Sequence, residues 1–258
     1  MLVPTAAGLT DVGLERNHNE DAFVLIGGSH VYVVADGMGG HRAGDVASRM
    51  AVEQLQAFFE RLGNSDQETL VSMPEPDTHD GVRNLVSAIS IANRKIYERS
   101  VKSREHHGMG TTLVAVHFAP DESKAFVAHV GDSRCYRVRG TEVTQLTSDH
   151  SYYNEYVLAM PDLSDEQRAE LPRNIITRAL GMHDGVQVDV CVDDCQAGDV
   201  YLLCSDGLTG MITDEEIGEL VSGAPTLELG CQALIDLANS YGGEDNITVV
   251  LVRTDSPQ

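Results

Sequence analysis

Four aspartates stand within two residues of glycine where apolar, β-branched runs begin or end. Asp36 closes VYVVA and is followed by Gly37, Gly39 and Gly40. Asp206 follows DVYLLCS and precedes Gly207, Asp132 follows FVAHVG, and Asp245 stands just before NITVV. Carboxylates from several strand ends can converge where no single segment could complete a coordination shell. Oxygen donors of this kind suit Mg2+ and Mn2+. Glycine beside them lets a cation or a phosphate come close to the backbone. Four neighbouring carboxylates repel one another, and a metal ion is their natural neutraliser. Any one Asp-Gly pair also reads as ordinary turn chemistry. The fourfold recurrence is what points to a metal centre.

A second group lies in GLERNHNEDAFVLI. Arg16 stands four residues before Glu20 and five before Asp21, just ahead of a strand. The planar guanidinium fork matches phosphate oxygens, and Glu20 could join the metals. The same residues also read as an exposed ion pair contributing about 0–1 kcal/mol. Other features read as structural. GMGG and GMGTTL lack the GKS or GKT of a nucleotide-binding loop. His106 and His107 read as exposed, and Asp149 and His150 as a turn. Asn246 and Thr248 read as holding their local turn and strand, and Cys135 and Cys204 as core. Cys191 and Cys195 have a metal-compatible spacing, but no second Cys/His pair completes a zinc site.

These residues must be carried by strands and helices. Strands are expected at 21–26, 31–35, 111–118, 124–130, 133–138, 186–192, 199–204 and 246–252. Close spacing and turn signals between them favour antiparallel hairpins. Helical periodicity marks 43–61, 80–101 and 226–241. Thr213 with Glu216, and Ser164 with Gln167, fit capping boxes opening helices at 214–221 and just after Ser164. The polar stretch 60–80 reads as a surface loop. Grouped helices and eight short strands predict an α+β fold, with two packed antiparallel sheets flanked by helices.

Composition narrows the function classes. The chain has 258 residues, 42% of them hydrophobic, enough for a core rather than a disordered tail. Its 40 acidic and 18 basic residues give a net charge of −22, which repels nucleic-acid backbones and anionic membranes. No apolar run reaches the ~18 residues of a membrane span. The N-terminus lacks the pattern of a secretory signal, and five irregularly spaced cysteines fit reduced thiols. A cytoplasmic location is therefore expected.

GLERNHNED, VVADGMGGHRAGDVAS, GMGTTL, VGDSR, LTSDHS, NIITRALG, LLCSDGL and GGEDNITVV occur in that order from Gly13 to Val250. In these motifs the chain resembles the metal-dependent serine/threonine protein phosphatases of type 2C, the PPM family, and within them the compact bacterial branch. The resemblance implies a sandwich of two antiparallel sheets with helices outside, in one domain over 1–258. It implies two or three Mn2+ or Mg2+ ions. Asp36 would bridge two of them, with the Gly37 carbonyl a further ligand. Glu20 would bind the second metal, Asp206 and Asp245 the first, and Asp132 with Asp206 a third. Arg16 would grip the substrate phosphate, and Asp21 would orient water from outside the ligand shell. The implied reaction is direct hydrolysis of phosphoserine and phosphothreonine by a water that the cations activate, without a phosphoenzyme.

The chain departs from the animal members after the Asp-Gly, where Met38 replaces a histidine proposed as general acid. That role stays unassigned, and His41 reads as structural. Segment 151–173 corresponds to the family's variable flap, expected to be mobile and to help select substrates. A monomer is expected, opposing a cognate Ser/Thr kinase on phosphoprotein substrates. Two other readings stand beside this one: a degenerate module that binds phosphoproteins without cleaving them, and a phosphoesterase acting on other substrates.

Overall fold

The computed structural model describes residues 1–39, 43–64, 78–119 and 121–257. Eleven strands form two antiparallel sheets among these residues. The first sheet runs β1 (Val3–Asp11), β11 (Ile247–Asp255), β10 (Val200–Cys204), β7 (Arg134–Arg139), β8 (Glu142–Gln145). The second runs β2 (Asp21–Ile26), β3 (Val31–Met38), β5 (Leu113–Ala119), β6 (Lys124–Val130), β9 (Asp189–Asp194), with β4 (Gly110–Thr111) on the end of β3.

Side chains alternate across each strand, and in the central strands β3, β5, β6, β10 and β11 both faces are buried. In β3, Val31, Val33 and Ala35 face the helices α1 (Ala43–Asn64) and α2 (Asp80–Lys102). Tyr32 and Val34 of the same strand face the other sheet, among Val114, Val116, Leu203 and Val250. The first sheet turns Leu202, Cys204, Val249 and Leu251 outward beneath α5 (Asp206–Thr209), α6 (Asp214–Gly223) and α7 (Leu227–Ser240). The order of layers is helix, sheet, sheet, helix, as expected. Double burial explains why these strands read as continuous apolar runs. Phe118 and Tyr201 meet edge to face across the sandwich, with ring centroids 5.0 Å apart.

Several expectations need adjusting. The run 111–118 is broken at Thr112 into β4 and β5, and the strand expected at 186–192 is centred later, at Asp189–Asp194. Residues 60–64 continue α1 rather than opening a loop, while 65–77 lie outside the described residues. The edge strands β1 and β8 were not anticipated. VPTAAGLTD contains Pro4, Gly8 and small residues of low strand propensity. Its pairing with β11 over nine residues overrides that weakness. Gly8 is required there, since a β-carbon would lie 2.5 Å from the Phe23 ring. Both expected capping boxes form, Thr213 with Glu216 and Ser164 with Gln167. The segment 151–173 carries two short helices, α3 (Tyr152–Ala159) and α4 (Asp165–Ala169), where one was expected.

Antiparallel pairing decides where the chemistry collects. The start of β2, the end of β3, the start of β5 and the end of β6 share one end of their sheet. The end of β10 and the start of β11 share one end of the other.

Candidate metal centre

Asp21 and Asp36 are directly opposed across β2 and β3, so both side chains leave the same face. Asp36 faces Asp206 of the other sheet, close enough for the two carboxylates to act on each other. Burial first, then the charges of Asp21 and Asp206, push the Asp36 carboxyl well above the ordinary carboxylate range. Burial and Asp245 raise Asp206 as well. Asp21 and Asp132 are each pushed up to about 7, chiefly by burial and with Asp206 adding repulsion. Glu20 is raised by burial and by the charge of Asp45. Groups in such surroundings demand positive charge, supplied by protons or by a cation.

The backbone around Asp36 is firmly held. Its N–H donates to Thr112 Oγ1 at 3.1 Å, and its carbonyl accepts from Thr112 N at 2.8 Å and from Thr111 Oγ1 at 2.8 Å. Gly37 N donates to the Glu20 carbonyl at 3.1 Å. A β-carbon on Gly37 would lie 2.2 Å from the Gly44 carbonyl, so no other residue fits. Gly44 is constrained by the site itself. A β-carbon there would stand 2.7 Å from Glu20 Oε2 and 2.8 Å from the Gly37 carbonyl, two oxygens that therefore face one small space.

Residues far apart in sequence hold the acidic groups in place. Asn246 accepts from Glu20 N at 2.7 Å and donates to the Val12 and His18 carbonyls, each at 2.9 Å. It thus ties the loop carrying Arg16 and Glu20 to the start of β11. Gly13, at φ +76°, packs where a β-carbon would meet the Asp245 carbonyl at 2.2 Å. Ser205 Oγ donates to Asp21 Oδ2 at 2.7 Å and accepts from Thr248 N at 2.9 Å. Arg16 reaches the centre and donates to Asp245 Oδ2 at 2.7 Å, with both side chains partly exposed.

The donor set fits a hard cation. Asp21 Oδ1, Asp132 Oδ1 and Asp206 Oδ1 are buried oxygens without any hydrogen-bond partner, and such groups are costly unless something positive meets them. Among the described residues, no three acidic, histidine or cysteine side chains form a ready-made cage.

The structure brings together Arg16, Glu20, Asp21, Asp36, Gly37, Asp132, Asp206 and Asp245. Sequence reasoning missed Ser205 and Gly44, and gave Asn246 only a local role. Both Ser205 and Gly44 lie inside the quoted motifs, which was the available signal. His106 bonds to Ser103 Oγ at 2.9 Å and His107 is exposed. Asp149 grips Arg134 with both oxygens, and His150 accepts from Gly131 N at 3.0 Å. Cys195 is bonded by Tyr201 Oη at 3.2 Å, and Cys135 and Cys204 are fully buried. Met38 offers no proton, and His41 lies outside the described residues.

Comparison with known proteins agrees with this geometry. Residues 15–234 match the family described as Protein phosphatase 2C. The chain is 42% identical to serine/threonine phosphatase stp of Listeria monocytogenes over 253 residues, covering 96% of this chain and 95% of that protein. It is 40% identical to protein phosphatase PhpP of Streptococcus pneumoniae, covering 95% of each. The crystal structure of the Mycobacterium tuberculosis serine/threonine phosphatase PstP/Ppp superposes with a TM-score of 0.84 at 33% identity, over 99% of this chain and 100% of that one. A structure of the catalytic domain of PstP in complex with two manganese ions gives 0.82 at 33% identity, with the same coverage. By sequence and by fold alike, this chain belongs to the protein phosphatase 2C family of serine/threonine phosphatases.

Proposed function

We propose that this phosphatase removes phosphate from phosphoserine and phosphothreonine by direct attack of water, with two or three Mn2+ or Mg2+ ions bound at the carboxylate centre. Asp36, the Gly37 carbonyl, Glu20, Asp206 and Asp245 would hold the principal pair, and Asp132 with Asp206 a third ion. Bound there, the cations would lower the pKa of a water and offset charge on the phosphoryl group. The observation that carries this reading is the meeting of carboxylates from five separate segments, three of them with buried, unpartnered oxygens.

The chain's own residues supply orientation. Ser205 holds Asp21 by Oδ2, so Oδ1 is the oxygen left to accept a hydrogen bond from the attacking water. Arg16, on a partly exposed loop, would exchange its carboxylate partner for phosphate oxygens. Asn246 keeps that loop against β11 and so sets the distance between Arg16 and the carboxylates. Met38 cannot protonate the leaving oxygen, and that role stays unassigned.

The same reading assigns one catalytic domain to 1–258, with a mobile flap at about 151–173 whose two helices bury no residue. It places the enzyme in the cytoplasm as a monomer opposing a Ser/Thr kinase in bacterial signalling. No helix among the described residues is long and apolar enough to cross a membrane. The test is phosphate release from a phosphothreonine peptide. Release is expected with Mn2+, none with EDTA, and a loss of at least about a hundredfold (about 2.7 kcal/mol) in Asp36→Asn. A folded protein that binds the peptide but releases no phosphate with any divalent cation would instead be a phosphoprotein-binding module.

A further inference from the structure

On this strongly acidic chain, Arg94, Lys95, Arg99, Lys102 and Arg104 fall within one short stretch at the end of α2 and just beyond it. Glu98 and Glu105 are the only acids between 94 and 107, where His106 and His107 also stand. The stretch is a basic island on a chain of net charge −22. Lys95, Glu98, Arg99 and Lys102 follow helical spacing along one stripe. With Met50 of α1 and His106 they line an open groove between α1 and α2.

Pairing leaves the groove positive. Glu98 is shared between Arg94 at 3.3 Å and Lys102 at 3.2 Å. Among the described residues, Lys95 bonds only to the neutral Gln54 of α1. Arg99 and Arg104 are exposed, with no ion-pair partner among the described residues. Cations in the last turn of a helix complement its dipole, which accounts for Arg99 and Lys102. It does not account for Lys95, about two turns earlier, or for the convergence with α1.

Two stretches of chain lead from the groove toward the metal centre. Met50 lies about 9 Å of helix rise from Gly44, which faces Glu20 and Gly37. On the other side, Met109 donates from its backbone to the His106 carbonyl at 3.1 Å, and its Cα lies 3.3 Å from where a β-carbon on Gly39 would stand. An extended peptide rising ~3.3 Å per residue covers that helix rise in about three residues, which sets the lower end of the spacing.

Resting on the phosphatase reading above, we propose that this groove binds acidic side chains of the substrate phosphoprotein, about three to five residues from the phosphorylated one. An Asp- or Glu-rich segment is repelled by most of this surface and attracted here, so the groove would set both the register and the direction of the bound substrate. The net charge opposes a long polyanion such as a nucleic acid but not a short acidic segment.

The test uses phosphothreonine peptides with neutral flanks, with acidic residues about three to five positions before the phosphothreonine, or with them after it. Each is assayed with Mn2+ alongside p-nitrophenyl phosphate. One acidic peptide is expected to show a KM about fivefold below the neutral one, with kcat unchanged and the advantage shrinking in salt. Combined Lys95→Ala, Arg99→Ala and Lys102→Ala substitutions should abolish that advantage and leave p-nitrophenyl phosphate turnover unaltered. Arg99→Gln alone, at an exposed position, serves if the combined variant does not fold. Equal KM values for all peptides in the wild type, or a preference that survives the substitutions, would overturn the proposal. If neither ester were hydrolysed, the phosphatase reading would fail separately, and anisotropy of the same labelled peptides would still decide whether the groove binds them.

Discussion

Asp21 shows how one side chain's function depends on a neighbour remote in sequence. Its Oδ2 is fixed by Ser205, leaving Oδ1 buried and free of partners. Ser205 in turn receives the Thr248 N–H, so the orientation of Asp21 is tied to β11. Ser205→Ala should therefore lower kcat about tenfold, a loss of about 1.4 kcal/mol in transition-state stabilisation, with KM nearly unchanged. Ser205→Thr, which keeps the hydroxyl, should recover most of it. Steady-state kinetics on a phosphothreonine peptide would check this, and an equal loss in both variants would point to packing alone. The recurrent Asp-Gly pairs made the acidic members of the site legible in the sequence. Ser205 and Asn246 were not legible in these roles, because each acts through bonds to β2 or the loop before it, about 180 residues or more away along the chain.

Strands β2 and β6 were the easiest elements to read, since they coincide with the apolar runs that predicted them, and β6 is buried on both faces. The edge strands were not, because pairing and packing against the opposite sheet, rather than local propensity, hold β1 in place. On β5, His117 lies beneath α1 and α2 with its ring 5.5 Å from Phe59 and 6.2 Å from Phe126. Burial pushes its pKa down to about 4. The unfolded chain, with an ordinary histidine pKa near 6.5, binds this proton more readily than the folded one. Stability is then complete above about pH 6.5 and is lost as pH falls towards 4, by up to about 3 kcal/mol. Denaturant midpoints of wild type and His117→Gln at pH 7 and pH 4.5 would show it as a smaller acid loss in the variant. An identical loss in both would remove His117 from the account. The helices α3 and α4 bury no side chain, unlike α7 with Cys231, Leu234 and Ile235. Amide exchange should accordingly be fastest over 151–173. Protection there equal to that of β3 or β11 would contradict a mobile flap.

At the scale of the molecule, the two sheets present their strand ends at a common edge, and the acidic groups of both meet there. Their mutual repulsion opposes folding in the absence of positive charge, and the raised carboxyls of Asp36 and Asp206 register it. The rest of the surface carries a net charge far from zero, which favours divalent cations and disfavours polyanions. The central claim is that the carboxylate centre is a cation site, and calorimetric titration of Mn2+ into EDTA-stripped protein tests it without reference to turnover. The wild type should bind at least two ions, and Asp206→Asn, folded as judged by circular dichroism, should bind at least one of them about tenfold or more weakly, a loss of about 1.4 kcal/mol. A stripped, folded wild type that takes up no Mn2+, or an isotherm that Asp206→Asn leaves unchanged, would contradict the account.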